Sequence, residues 1–149
     1  MYLLSKKSSL ALEAVLDVAY NARPNPVQSK DITERQGIQS RYLEQVLQFL
    51  VKRGILKGVR GPKGGYTLAR ERRRITLGDV LRVIEDLENE DDKMNSISEL
   101  GEKVIQPIWA EFHSEMLSRL DQITLEDLCN RADEESVGRP DGDGMDFVI

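Results

Sequence analysis

The sequence has little of what builds disulfide-bonded, zinc-binding and membrane-spanning proteins. Its 149 residues include one cysteine and one histidine, and aromatic residues make up only 5%. No apolar run approaches the roughly 20 residues of a membrane span. Cys129 and His113 alone cannot form an intramolecular disulfide framework or a Cys/His zinc site within one chain. Residues 1–12 lack a long apolar core and a small-residue cleavage site, so we expect a cytoplasmic protein without a signal peptide.

Charge is abundant, and it is unevenly divided along the chain. The composition is 40% hydrophobic and 32% charged, with a net charge of −5. Residues 1–74 contain 15 Lys and Arg against 6 Asp and Glu, a net charge of +9. Residues 75–149 contain 6 Lys and Arg against 20 Asp and Glu, a net charge of −14. A basic module joined to an acidic one indicates an anionic partner for the basic half.

The basic half has the pattern of a helical domain with one β-hairpin. Apolar periodicity, capping residues and breaking Gly or Pro residues delimit four helices, over 10–21, 30–36, 41–53 and 77–87. Two strand-like runs, 55–60 and 66–69, flank a glycine-rich turn at 61–65. This order, with the sharp turn allowed by Gly37, is typical of a winged helix-turn-helix. The predicted fold class is mainly α with a small β-hairpin wing, followed by a long helix.

The acidic half predicts a linker, two helices and a tail. Residues 88–96 are mostly polar and acidic, so 88–97 is predicted to be a solvated linker, and its acidic group lacks the spacing of a calcium loop. An apolar stripe at intervals of three or four residues predicts one long helix, which begins between 98 and 106 because Pro107 kinks a helix or occupies its first turn. A short helix from Thr124 to 135 follows. The domain pattern is therefore 1–87, 88–97, 98–135 and a flexible tail, 136–149.

The third helix has one apolar and one polar face. On a helical wheel the apolar side chains fall together and are predicted to face the core: Leu43, Val46, Leu47 and Leu50. The opposite arc is polar and consists of Arg41, Glu44, Gln45, Gln48 and Lys52. Such side chains can pair with base edges in a DNA major groove. The alternative is an ordinary solvated helix face.

The predicted hairpin carries cations on a tip without bulky side chains. That tip consists of Arg60, Gly61, Pro62, Lys63, Gly64 and Gly65. It suits a minor groove or a run of phosphates, although a plain glycine-rich turn is the alternative. A phosphate-binding P-loop is excluded, because the Gly-Lys-Ser/Thr ending and the following helix are absent. An arginine run at 70 and 72–74 follows the hairpin and is either a solvated face or a phosphate contact.

Several segments together resemble the IscR/NsrR/CymR (Rrf-two) family of bacterial winged helix-turn-helix transcription regulators. The matching segments are Ile-Thr-Glu-Arg-Gln-Gly-Ile at 32–38, Tyr-Leu-Glu-Gln-Val at 42–46, Val-Arg-Gly-Pro-Lys-Gly-Gly-Tyr at 59–66, Ile-Thr-Leu-Gly-Asp-Val at 75–80, and Trp109. The resemblance covers residues 1–130. It implies a homodimeric regulator, activator or repressor, that binds double-stranded DNA at partly palindromic operators. Arg41, Glu44 and Gln45 would read bases, Tyr42 belongs to the same motif, and the hairpin would form the wing.

The resemblance also implies roles for the long helix and for the segment before it. The long helix would dimerise through Ile105, Ile108, Trp109, Phe112, Met116 and Leu120. Relatives that bind an iron–sulfur cluster carry three cysteines before this helix, but residues 87–106 contain none, and Gln106 stands where some relatives have a histidine ligand. Because clusters need thiolate ligands, we predict no cofactor and no metal, as in the cluster-free branch of the family.

The remaining candidates support weaker hypotheses. Cys129, beside Leu125 and Leu128 on the last helix, is a packed small hydrophobe or a redox-sensing thiol. His113 is a surface or interface histidine, or has a pH or ligand role. The apolar end of the tail, 145–149, could dock on a partner enzyme, which would make the chain a protein-interaction adaptor. With one His, one Cys and no nucleophile elbow, an enzyme is not expected.

Overall fold

Helices dominate the architecture, and one antiparallel hairpin interrupts them. The computed structural model describes residues 4–91 and 98–137. In these residues the order is α1 (Lys6–Asn21), α2 (Ser29–Gln36), α3 (Ser40–Lys52), β1 (Leu56–Val59), β2 (Gly65–Leu68), a 3₁₀ turn (Arg72–Arg74), α4 (Leu77–Asp91), a π-helical segment (Gly101–Ile105), α5 (Gln106–Leu120) and α6 (Leu125–Glu134). The predicted class, mainly α with a hairpin wing, is confirmed. None of the described helices is both long and apolar enough to cross a membrane.

The core forms around α1, which packs against α2, α3, α4 and α6. Its centre is made of side chains that solvent does not reach, among them Ala14, Val15, Val18, Ile32, Leu47, Leu50 and Ile84. Each of these helices therefore contributes one apolar stripe to a shared interior, and polar residues cover the outside.

Capping serines and threonines mark where α1, α4 and α6 begin, whereas α2 and α3 follow Gln28 and Gln39, which make no side-chain cap hydrogen bond. Thr76 and Thr124 cap α4 and α6 as predicted, each accepting a hydrogen bond from the backbone N–H three residues later at 3.0 Å. At α1 the prediction was wrong, because the helix begins at Lys6 rather than at residue 10. Ser5 is its cap, whereas Ser8 is buried inside the helix and donates its backbone N–H to the Ser5 hydroxyl.

The fourth helix runs to Asp91, four residues beyond its predicted end. Its last turns are held by tertiary contacts: Glu88 accepts a hydrogen bond from the Ser5 hydroxyl at 2.7 Å, and Asp86 pairs with Arg53 at 2.8 Å. The first residues of the predicted acidic linker are thus helical. Its remainder, 92–97, and the predicted tail from 138 onward lie outside the described residues.

Helix α5 is preceded by a wider helical turn rather than by a clean start. The backbone is helical from residue 99, and Gln106 donates its N–H to the carbonyl of Gly101, five residues back. Pro107 has no N–H to continue the ordinary helical pattern, which accounts for the π-helical segment just before it. The helix is fixed to α4 by a bidentate pair between Arg82 and Asp121, at 2.6 and 2.8 Å, and by His113 against Glu85 at 2.7 Å.

Candidate nucleic-acid interface

The two faces of α3 separate as the helical wheel predicts. The four apolar residues are buried, each at most 1% exposed, and they fix the helix on the core. The polar residues of the opposite face are all exposed: Arg41, Glu44, Gln45, Gln48 and Lys52. A short helix rigidly seated on a core, with a continuous row of hydrogen-bonding side chains facing outward, is suited to enter a major groove.

A sharp turn and a buried ion pair position α2 and α3. Gly37 ends α2 in the left-handed conformation, with φ of 68°, which an L-residue with a side chain rarely adopts. Asp17 on α1 has a fully buried side chain, and its two carboxylate oxygens accept hydrogen bonds from Arg35 at 2.8 and 2.9 Å and from Gln36 at 2.8 Å. The Asp17 carboxylate holds the pKa of the Arg35 guanidinium above its ordinary value. The ion pair therefore fixes the end of α2, and with it the entry to α3, against α1.

Tyr42 takes part in the same positioning. Its hydroxyl donates a hydrogen bond to the backbone carbonyl of Lys7 at 2.8 Å, and its side chain packs against the core. The structure thus places Tyr42 where it holds the first turn of α3 against the start of α1. Contact of Tyr42 with DNA stays a prediction.

The predicted wing is present as a two-stranded antiparallel hairpin. Leu56 pairs with Leu68 and Val59 with Gly65. The first strand is therefore two residues shorter than its predicted run, and the second has the predicted length but begins one residue earlier. The exposed tip consists of Arg60, Gly61, Pro62 and Lys63. The side chain of Lys63 is thus exposed to solvent in the turn between β1 and β2.

Gly64 and Gly65 lie beneath this tip and shape it. Gly64 is buried, and a Cβ atom there would overlap the backbone carbonyl of Val59. Gly65 has φ of 151°, and its Cβ would overlap the backbone of Val27. Neither position therefore has room for a side chain, which explains the glycine pair and limits its role to backbone geometry.

The wing is also fixed to the helix-turn-helix. Val27 and Tyr66 exchange two backbone hydrogen bonds, at 2.7 and 2.9 Å, in the segment that leads into α2. The side chain of Gln28 donates to the carbonyl of Pro62 at 3.4 Å. Sequence reasoning missed both Gln28 and the Asp17 ion pair. A charged residue inside the apolar stripe of α1 was the signal for the latter.

Helix α5 and the helical turns just before it carry an apolar face that the described residues of the single chain leave uncovered. Leu117 on its inner side is buried, but the outer side chains are exposed by between 48% and 68%: Leu100, Val104, Ile105, Ile108, Trp109 and Phe112. Met116 and Leu120, also predicted at a dimer contact, are half-buried. A contiguous patch with two exposed aromatic residues is typical of a protein–protein contact.

Cys129 is 0% exposed in the core beside Leu125. Thiols react as exposed thiolates, so this burial favours the packed interpretation over the redox one. The apolar tail end, on which the adaptor hypothesis depends, lies outside the described residues.

Comparison with known proteins supplies the observation that decides the family. The model of the Rrf2 family, described as an iron-dependent transcriptional regulator, matches residues 4–131. The chain belongs to the Rrf2 family. It is therefore one of a family of winged helix-turn-helix transcriptional regulators and not an enzyme, as the motifs predicted.

Individual Rrf2 proteins agree with this assignment. The chain is 36% identical over 129 residues to the HTH-type transcriptional regulator IscR of Escherichia coli O1:K1, which covers 85% of this chain and 80% of that protein. The solved structure of T. potens IscR has a TM-score of 0.72 at 35% identity and covers 93% of both chains. CymR, the global cysteine regulator of B. subtilis, has a TM-score of 0.67 at 30% identity and covers 88% of this chain and 98% of CymR.

The residues of this Rrf2 protein do not fit an iron–sulfur cluster. Such clusters are held by several cysteine thiolates, whereas this sequence has one, and that one is buried in the core. Among the described residues, no three His, Cys, Asp or Glu side chains come together as metal ligands. We therefore assign no role to a cluster, and the expectation that the chain binds no cofactor stays a prediction.

Proposed function

We propose that this Rrf2 protein is a homodimeric repressor in the cytoplasm that binds a palindromic operator in double-stranded DNA. The observation that carries the proposal is the exposed polar face of α3, which stands on a fully buried apolar face beside a cationic wing. In the proposed complex α3 enters the major groove, where Arg41, Glu44, Gln45 and Gln48 meet base edges. The tip with Lys63 enters the adjacent minor groove or follows its phosphates.

The uncovered face of α5 supports the dimer. Two copies that pack these faces about a two-fold axis would bury Trp109 and Phe112 against each other's helices. A two-fold dimer presents two copies of α3, one or two helical turns of DNA apart, and therefore matches an inverted repeat. Repression needs only that the bound dimer blocks the promoter, whereas activation needs a further contact with the polymerase.

Charge supports the same orientation. The net charge of +9 lies on residues 1–74, which include α3 and the wing, and the net charge of −14 lies on the half that contains α5. The positive half attracts the DNA backbone, and the negative half repels it and so opposes non-specific binding through the wrong surface.

Two kinds of variant test this assignment on promoter DNA in a fluorescence-anisotropy titration. Lys63→Ala should weaken binding to all sequences evenly and reduce the slope of log K against log salt by about 1, because one phosphate contact is lost. Glu44→Ala should instead change which base is preferred at one position, by about 1–3 kcal/mol. Arg131→Ala, an exposed cation on α6, is the matched control and should have no effect. If Arg131→Ala and Lys63→Ala weaken binding equally, the wing is not part of the interface.

A further inference from the structure

A cleft lies at the base of the wing, at the end of β2 that is remote from the tip. Its volume is about 160 Å³, and its apolar wall comes from Val18 and Ala19 of α1, from Ala22 at the end of that helix and from Leu68. A cleft needs only about 10–15 Å³ of such space to hold one water, so this one has room for a small metabolite. It is partly open to solvent and separate from the polar face of α3.

The cleft has an excess of positive charge. Arg23, Arg70 and Arg72 line it, and Glu71 is the one acidic residue among the lining side chains. The Glu71 carboxylate is already paired with Arg73, at 2.5 Å, so it does not neutralise the lining arginines. Three guanidinium groups around an apolar wall favour a ligand that combines a negative group with a short carbon skeleton.

Arg72 has an unsatisfied donor. Its Nε atom is buried and has no hydrogen-bond partner among the described residues. Buried donors are nearly always paired, because a buried N–H without an acceptor is costly. This nitrogen is shielded from solvent, so an occupant of the cleft would become its acceptor once the Arg72 side chain turns the Nε atom toward it. Carboxylate and phosphate oxygens are the acceptors that fit the planar guanidinium fork best.

We propose that this cleft binds a small oxyanion, a metabolite carrying a carboxylate or a phosphate, with Arg72 as its main ligand. Arg23 and Arg70 add charge at the rim, and the apolar wall holds the carbon skeleton. Because α1 and β2 both line the cleft, an occupant connects the helical core to the base of the wing. We expect the bound anion to change the affinity for DNA. That expectation rests on the proposed function, whereas binding of the anion to the cleft does not.

The binding test uses the full-length protein without DNA. Isotope-labelled protein is titrated with inorganic phosphate, acetate and succinate at constant ionic strength, with chloride as the reference salt. We expect saturable amide shifts at Ala19, Ala22 and Leu68, and either a phosphate or a carboxylate response supports the site. Arg72→Gln should weaken binding at least about 10-fold, since a charge-assisted hydrogen bond is lost.

Two further variants separate the cleft from surface charge in general. Ala22→Leu fills the cleft without changing its charge and should abolish binding. Arg74→Gln removes an exposed cation of the same arginine run that does not line the cleft and should bind as the wild type does. Equal losses in Arg72→Gln and Arg74→Gln, full binding by Ala22→Leu, or no saturable shift in the wild type would each overturn the proposal.

DNA binding by the same variants tests the alternative that Arg72 contacts the DNA backbone rather than a small anion. If Arg72→Gln leaves the anion titration unchanged but lowers the salt slope of DNA binding by about 1, Arg72 contacts the DNA backbone and the proposal is wrong. If the anion binds through Arg72 but the wild type binds no DNA, the anion site is supported and the proposed function is wrong.

Discussion

Trp109 is the side chain on α5 whose removal should separate the two copies of the proposed dimer. It is 67% exposed in the single chain. A large aromatic side chain buries up to about 250 Å², so a partner could cover about 170 Å² of this one. At about 25 cal/mol per Å², full coverage is worth about 4 kcal/mol for each copy. Because the dimer is two-fold symmetric, Trp109→Ala removes this side chain from both copies. Even if the partner covers only half of the exposed indole, the substitution costs about 4 kcal/mol per dimer and raises the dissociation constant about 10³-fold.

Analytical ultracentrifugation at micromolar concentration measures this change. The wild type should sediment as a dimer of the 16.9 kDa chain, and Trp109→Ala as a monomer. Thermal unfolding of the dissociated monomer should remain cooperative, because most of the indole lies outside the core. Val51→Ala, which truncates an exposed apolar side chain on α3, is the matched control and should stay dimeric. A Trp109→Ala dimer as stable as the wild type would refute the assignment of α5 as the dimer contact.

Three further predictions concern the fold and the wing. Arg35→Ala should lower the free energy of unfolding by about 3–5 kcal/mol in a denaturant titration, because it leaves a buried carboxylate without its cation; a loss below about 1 kcal/mol would contradict this. Gly65→Ala should weaken DNA binding and destabilise the protein more than Gly58→Ala, whose added Cβ meets nothing within 4 Å; equal effects on Tm and affinity would contradict the wing geometry. Arg82 lowers the pKa of Asp121, so this carboxylate stabilises the fold above its unfolded-state pKa, and the contribution is lost as the pH falls through its folded pKa. The difference in Tm between wild type and Asp121→Asn should therefore be present at pH 7 and close in acid, and a difference that persists at pH 2 would contradict it.

Local signals in the sequence were sufficient to predict α3 and the wing. The left-handed turn at Gly37, the helical period of α3 and the glycine-rich hairpin turn each depend on residues close together in the chain. Such features are set by backbone conformation and by one apolar stripe, so they can be predicted without knowing the tertiary structure.

Contacts between distant residues decided what the sequence did not predict. Ser5, Ser8 and Ser9 are all suitable helix caps, and α1 begins at the first of them, where Ser5 also reaches Glu88 on α4. The same contact helps to extend α4 past its predicted end. The ion pair of Asp17 with Arg35 joins two helices, and only the packed structure shows that the carboxylate is buried and satisfied.

Selection of DNA by the full-length protein from a random pool tests the central claim most directly. The account predicts enrichment of an inverted repeat, bound at least about 10³-fold more tightly than random DNA at physiological salt. It also predicts that log K falls linearly with log salt, with a slope steeper than about −4, because several Lys and Arg side chains displace counterions from phosphates. An unenriched pool, or binding that does not change with salt, would contradict it.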